Sequence, residues 1–265
     1  MLRYREKEDF EARFRDVEAT CEALRAAERR AWPQLMEEFR EKLLISLIYH
    51  DAALEGEVLS HSEIKAAIDT NIISDSSLIP SYEEISNFYK ACQYAEQTAK
   101  NKRKPIKVDT VREVYALLAP ETVAGGLAYR RENPLHRLYY HDIAPPEKIT
   151  FKMKKLGEWL ESPETKELHP IERAAKSHWR IMSIFPWATH SGRAARIIAN
   201  LILEQAGYPL AVIHSIDRQR YYEALRGDHV GLLSLYLEAV QTTAESELRV
   251  YEEADKASPR RRRRA

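Results

Sequence analysis

The sequence predicts an all-α protein. Glycine is scarce, with 8 among 265 residues. Apolar residues recur mainly at helical spacing, and the stretches joining the periodic segments are short. With 44% hydrophobic residues, the chain can bury the core of one sizeable domain carrying appended helices.

Taken in order, residues 5–30 are dense in Glu, Arg and Ala with few large apolar groups, as suits a solvated helix or helical arm. A more apolar helix follows over about 32–50, with Leu43, Leu44, Leu47 and Ile48 as its buried stripe. Ser60-x-x-Glu63 and Ser81-x-x-Glu84 read as capping boxes and place helix starts near 60 and 81. The basic stretch 100–107, interrupted by Pro105, reads as a surface connection and a domain boundary before a helix capped by Asp109. Gly125-Gly126 and Asn133-Pro134 break the pattern over 124–144, where a short β-hairpin or flap is expected. Helices resume at about 146–161, 169–184, 193–206, 216–226 and 229–249. After Ser258-Pro259, the arginines at 260–264 form a like-charge run that does not fold alone. The expected division is a charged arm (1–35), a helical region (36–106), a core domain (107–249) and a disordered basic tail (250–265).

Composition narrows the function classes. Lys plus Arg and Asp plus Glu both number 41, so no global field draws the chain to nucleic acid or membrane. Cys21 and Cys92 have no metal-ligand spacing and suit a reducing cytoplasm. No signal-peptide stretch and no apolar run near the ~20 residues of a membrane span occur, so a soluble, cytoplasmic protein is expected. The arginine tail would meet nucleic acid or an acidic membrane only locally, the simpler reading being a solvated tail.

The informative segment is Ile184-Phe-Pro-Trp-Ala-Thr-His-Ser-Gly-Arg-Ala-Ala-Arg196, a small-residue loop entering an apolar helix that Gly207 and Pro209 end. The helix start gathers backbone N–H groups around Ser191 and Gly192, and with the macrodipole these attract an anion such as phosphate. Arg193 and Arg196 fall in the first turn, where the dipole disfavours cations by ~0.3–1 kcal/mol unless an anion offsets it. The alternative is two surface arginines with solvated heads.

This segment resembles the Fic motif, His-Pro-Phe-x-(Asp/Glu)-Gly-Asn-Gly-Arg-x-x-Arg. Pro186, Gly192, Arg193 and Arg196 match it, and Trp187 stands for its Phe. Phe185 occupies the place of the catalytic His and Thr189 that of the metal-binding carboxylate, while His190 and Ser191 replace the Gly and Asn. The resemblance runs from about residue 40 to 245. Asp51-x-x-x-Glu55-Gly56 resembles the family's inhibitory signature (Ser/Thr)-x-x-x-Glu-(Gly/Asn), with Asp51 in place of the hydroxyl residue. Tyr129, Arg130 and Arg131 fall in a segment resembling the target-docking flap, and Pro145-Pro146 and residues 221–228 resemble later landmarks.

The resemblance implies a Fido-fold helical bundle with a short hairpin flap, and a reaction in which the motif His deprotonates a target hydroxyl that attacks the α-phosphate of ATP. Phe185 offers no titratable lone pair for that step, and the lost carboxylate removes charge stabilisation of the phosphates. The expectation is a degenerate Fic protein acting by binding. The alternative is a divergent transferase moving AMP or another phosphate-containing group, with His190 as phosphate ligand or unconventional base. Anion contacts are expected from Ser191, Gly192, Arg193 and Arg196. Glu55 is expected either as the inhibitory partner of Arg196 or as an ordinary helix-end carboxylate. His178 is expected to be structural. Tyr129, Arg130 and Arg131 would receive a protein target by strand addition or form a merely structural hairpin. No cofactor is required by these residues; ATP or another nucleotide is the candidate ligand, with weak or no Mg²⁺ dependence.

Overall fold

The computed structural model describes the backbone of residues 2–69, 81–134 and 141–257, with side chains from residue 9 onward. Among the described residues the regular structure is helical. The helices are α1 (Leu2–Glu28), α2 (Pro33–Glu55), α3 (His61–Ile68), α4 (Tyr82–Lys100), α5 (Val108–Leu118), α6 (Ile149–Glu161), α7 (Pro163–Glu167), α8 (Pro170–Ile184), α9 (Ser191–Gln205), α10 (Arg218–Arg226) and α11 (His229–Ala257).

The helix α9 forms the centre because its sequence is apolar nearly all round, and every residue from Ser191 to Leu203 is buried. Around it pack α8, α4 and α5. The helix α1 carries its charges outward, yet Val17, Cys21, Leu24 and Ala27 recur at helical spacing and are buried. It lies along α11, where Arg13 donates to the hydroxyl and carbonyl of Ser234 at 2.9 Å each. The charged arm is thus docked on the bundle. The helix α11 runs to Ala257, so the tail expected from 250 begins as helix; the arginines at 260–264 lie outside the described residues.

The capping box at Ser60 forms, with Ser60 N donating to Glu63 at 2.7 Å and Glu63 N to the Ser60 hydroxyl at 3.2 Å. The one expected at Ser81 does not: its side chain makes no cap hydrogen bond, and the Glu84 carboxylate turns instead to Arg193. At the start of α5, the cap expected of Asp109 is replaced by Thr110, whose hydroxyl accepts from Lys107 N at 3.3 Å. Among the described residues of 124–144 no strand forms. Pro120–Gly125 is a 3-10 turn, and Arg130 N donates to Pro186 O at 3.0 Å rather than to a partner strand. Residues 135–140, within the expected second arm, lie outside the described residues.

A cavity of about 950 Å³ is bordered by Arg40, Glu204, Tyr208 and Tyr251 near the C-terminal end of α9, and no residue of the 184–196 segment lines it. No described helix is long and apolar enough to cross a membrane.

His178 binds three helices together. Its ring nitrogens lie 2.7 Å from the Tyr236 hydroxyl and 3.0 Å from the Tyr221 hydroxyl, joining α8 to α11 and α10. Burial, then Arg196, holds its pKa well below the ordinary histidine value. The folded state therefore resists a proton that the unfolded chain accepts below about pH 6.5. Stability is present above that pH and falls as pH drops below it, at up to about 1.4 kcal/mol per pH unit. Urea unfolding at pH 7.5 and 5.5 is expected to show a larger loss for wild type than for His178→Gln, which keeps a donor and an acceptor but does not titrate.

Candidate functional site

The 184–196 loop is shaped by left-handed backbone at both ends. Phe185 closes α8 at φ 48°, with its N–H on Ile181 O at 2.7 Å. His190 precedes α9 at φ 57°. With Leu127 these are the positive-φ non-glycine residues among those described, and such strain persists only where the surroundings impose it. Trp187 supplies part of that constraint, being fully buried and stacked on Tyr115 at 3.9 Å between ring centroids.

Arg130 supplies more. Its Nε donates to Phe185 O at 2.6 Å, Nη1 to Asn133 Oδ1 at 2.6 Å, and Nη2 to Ala144 O. This side chain is buried and bolts the 127–134 segment onto the carbonyl end of α8, where the dipole favours a cation. The expectation that Arg130 meets a target is therefore corrected: its donors already serve the fold. Arg131 is exposed and Tyr129 half-buried beside Trp187. Ser191 is also corrected as a hydroxyl ligand for an anion. It is fully buried, donates to Trp187 O at 2.8 Å and accepts from Trp187 N at 3.0 Å, closing the loop on itself.

Arg193 and Arg196 are both nearly buried, at 4% and 5% exposure, which excludes solvated surface arginines. Asp51 reaches both: Oδ2 accepts from Arg193 Nε at 3.0 Å and Oδ1 from Arg196 Nε at 2.5 Å. Arg193 Nη2 donates to Glu57 at 2.6 Å and Nη1 to Glu84. Arg196 Nη2 donates to Glu55 at 2.8 Å and Nη1 to the Tyr221 hydroxyl at 3.0 Å. Burial opposes charge on Arg193, but Asp51, Glu57 and Glu84 outweigh it and raise its pKa. On Arg196 burial is likewise outweighed, by Asp51, Tyr221 and Glu55. Both guanidinium groups stay charged.

The chain places these carboxylates through α2. Asp51 and Glu55 share a face at i, i+4. Gly56, at φ 95°, then reverses the chain, with Glu57 N on Ala52 O at 2.9 Å. Across that turn Glu55 reaches Arg196 and Glu57 reaches Arg193. Glycine at 192 leaves room for the same approach, since a Cβ there would lie 2.5 Å from Glu55 Oε1 and push that carboxylate aside. Sequence reasoning missed Glu57, Glu84 and the double role of Asp51, and no local sequence signal marks these pairings.

His190 sits beside the arginines, with Nδ1 3.3 Å from Arg193 Nη1. Burial, then Arg193, lowers its pKa, so the ring is neutral and Nδ1 accepts. Thr189 is exposed, and among the described residues no group of three or more His, Cys, Asp or Glu is placed to hold a metal ion. The residues at the motif's carboxylate position do not fit a divalent cation.

Residues 105–203 match the Fic/DOC family model. A protein adenylyltransferase Fic of Nematostella vectensis is 30% identical over 77% of this chain and 48% of its own length. The chain belongs to the Fic/DOC family. A Fic adenylyltransferase of Aedes aegypti is 26% identical over 89% of the chain and 44% of its own length, so this Fic chain spans about half the length of the curated relatives it matches. A Fic-domain signalling protein of Bacteroides thetaiotaomicron superposes with TM-score 0.77 at 20% identity, covering 90% of this chain and 98% of that one. Fic-1 of C. elegans superposes with TM-score 0.73 at 19% identity, over 94% and 74%. Both share the fold.

Position 190, glycine in the Fic motif, is left-handed here, so glycine relieves strain that alanine keeps. His190→Gly is expected to be more stable than His190→Ala by about 1 kcal/mol in urea unfolding; equal or reversed stability would contradict the backbone account.

Proposed function

We propose that this chain is a Fic-family pseudoenzyme: it lacks AMP transfer and acts by binding, around an arginine site of the nucleotide-phosphate type that its own carboxylates occupy. The observation that carries this reading is Phe185. Its side chain is 1% exposed, its carbonyl is held by Arg130, and it has no atom that takes a proton. Losing a general base lowers rates by ~10²–10⁴-fold. His190 is a poor replacement, because its Nδ1 lone pair faces Arg193 and its pKa is lowered.

The likeness to chains named protein adenylyltransferase supports descent from a site that bound ATP, and the retained arginines support a nucleoside triphosphate as the ligand class. A protein partner would meet Tyr129 and the exposed Arg131 rather than Arg130.

Purified protein incubated with ATP and Mg²⁺, alone and with a protein substrate of an active relative, is expected to add no AMP by intact mass. Phe185→His alone is expected to leave that unchanged, since Thr189 still lacks a carboxylate and both arginines stay paired. Transfer at rates comparable with the active relative would overturn the proposal. An AMP adduct abolished by His190→Ala would instead establish a divergent transferase.

A further inference from the structure

We propose that Asp51 is a second lock on the arginine site, so that removing Glu55 alone leaves the site closed. This rests on the reading of the arginines as a phosphate site and concerns how that site is regulated. Asp51 is the shared partner of both guanidinium groups, with one carboxylate oxygen on each. Without Glu55, Arg196 keeps Asp51 and Tyr221, and Arg193 keeps Asp51, Glu57 and Glu84.

Burial ranks these contacts. The side chain of Asp51 is 2% exposed and that of Glu55 12%, against 37% for Glu57 and 36% for Glu84. Exposed pairs are screened and contribute little, whereas a buried pair is strong and hard to break. Asp51 is therefore the dominant counter-ion. The cluster also carries excess negative charge: two arginines against Asp51, Glu55, Glu57 and Glu84 give 2 − 4 = −2. A triphosphate entering this arrangement meets repulsion before it meets a free cation.

The end of α2 is also held in place. Arg218 Nε and the Tyr222 hydroxyl each donate to Leu54 O at 3.0 Å, and Ser215 N donates to His50 Nδ1 at 3.2 Å. Asp51 lies between these anchors along the helix, so it cannot leave the arginines by fraying of the last residues. Opening requires the last turns of α2 to move off α10 and the 3-10 turn Ser215–Asp217 that precedes it.

Two measurements on the whole chain test the lock in wild type, Glu55→Gly, Asp51→Ser and Asp51→Ser/Glu55→Gly. Asp51→Asn/Glu55→Gly keeps the shape of the buried side chain and carries the comparison if the serine variants do not fold. Calorimetric titration with ATP is expected to show less than about threefold gain for Glu55→Gly, and at least about tenfold for the double variants. Phenylglyoxal labelling of Arg193 and Arg196, followed by peptide mass, reads the lock without nucleotide. Labelling is expected to rise only when Asp51 is replaced. If Glu55→Gly alone labels both arginines as fast as the double variants, or matches their ATP affinity, the proposal is overturned. If labelling requires loss of Asp51 but no variant binds ATP, the lock stands and the nucleotide reading fails.

Discussion

Asp51 lies about one turn from the C-terminal end of α2, yet its carboxylate is buried between two guanidinium groups from another helix. Burying ions is favourable only when each finds close partners, and here each condition depends on another. The arginines can be buried because Asp51 reaches both. Asp51 can be buried because α9 begins with two arginines three residues apart. Glu55 can complete the set because position 192 has no side chain. Disturbing one of these contacts leaves a charge unmatched in low dielectric, so α2, α4 and α9 are tied at one point.

That constraint explains which parts of the molecule were legible in sequence. The helices were, because each buries an apolar stripe of regular period and the sequence pattern records it; the boundaries of α8 and α10 follow from Pro170 and from the glycine at 227. The carboxylate set around Arg193 was not legible, because it joins positions 51, 57, 84 and 193, and no local pattern reports a pairing across more than one hundred residues. Ser81-x-x-Glu84 shows the difficulty. Its local chemistry favours a cap, while a buried guanidinium offers Glu84 a stronger, charge-assisted partner. Arg130 misled for the converse reason, since an arginine in a glycine-flanked segment reads as exposed until the carbonyls it bonds are known.

The 184–196 loop is fixed by its own contacts. Left-handed residues at 185 and 190, the Trp187–Tyr115 stack and the Ser191 turn preserve the path that brings α9 to the arginine site. The positions aligned with the Fic motif's histidine and carboxylate carry Phe185 and Thr189. The carboxylates of Asp51, Glu55, Glu57 and Glu84 face the two arginines that the loop leads into.

Arg193 and Arg196 are held by the chain's own carboxylates rather than left open to an anion. Nuclear magnetic resonance of arginine Nε–H groups observes it directly, because both Nε–H groups donate to Asp51 and should exchange slowly with water. In wild-type protein their signals are expected to persist unshifted as ATP is raised to about 1 mM, a level typical of weak small-ligand binding. Shifted or lost signals well below that concentration would contradict the account.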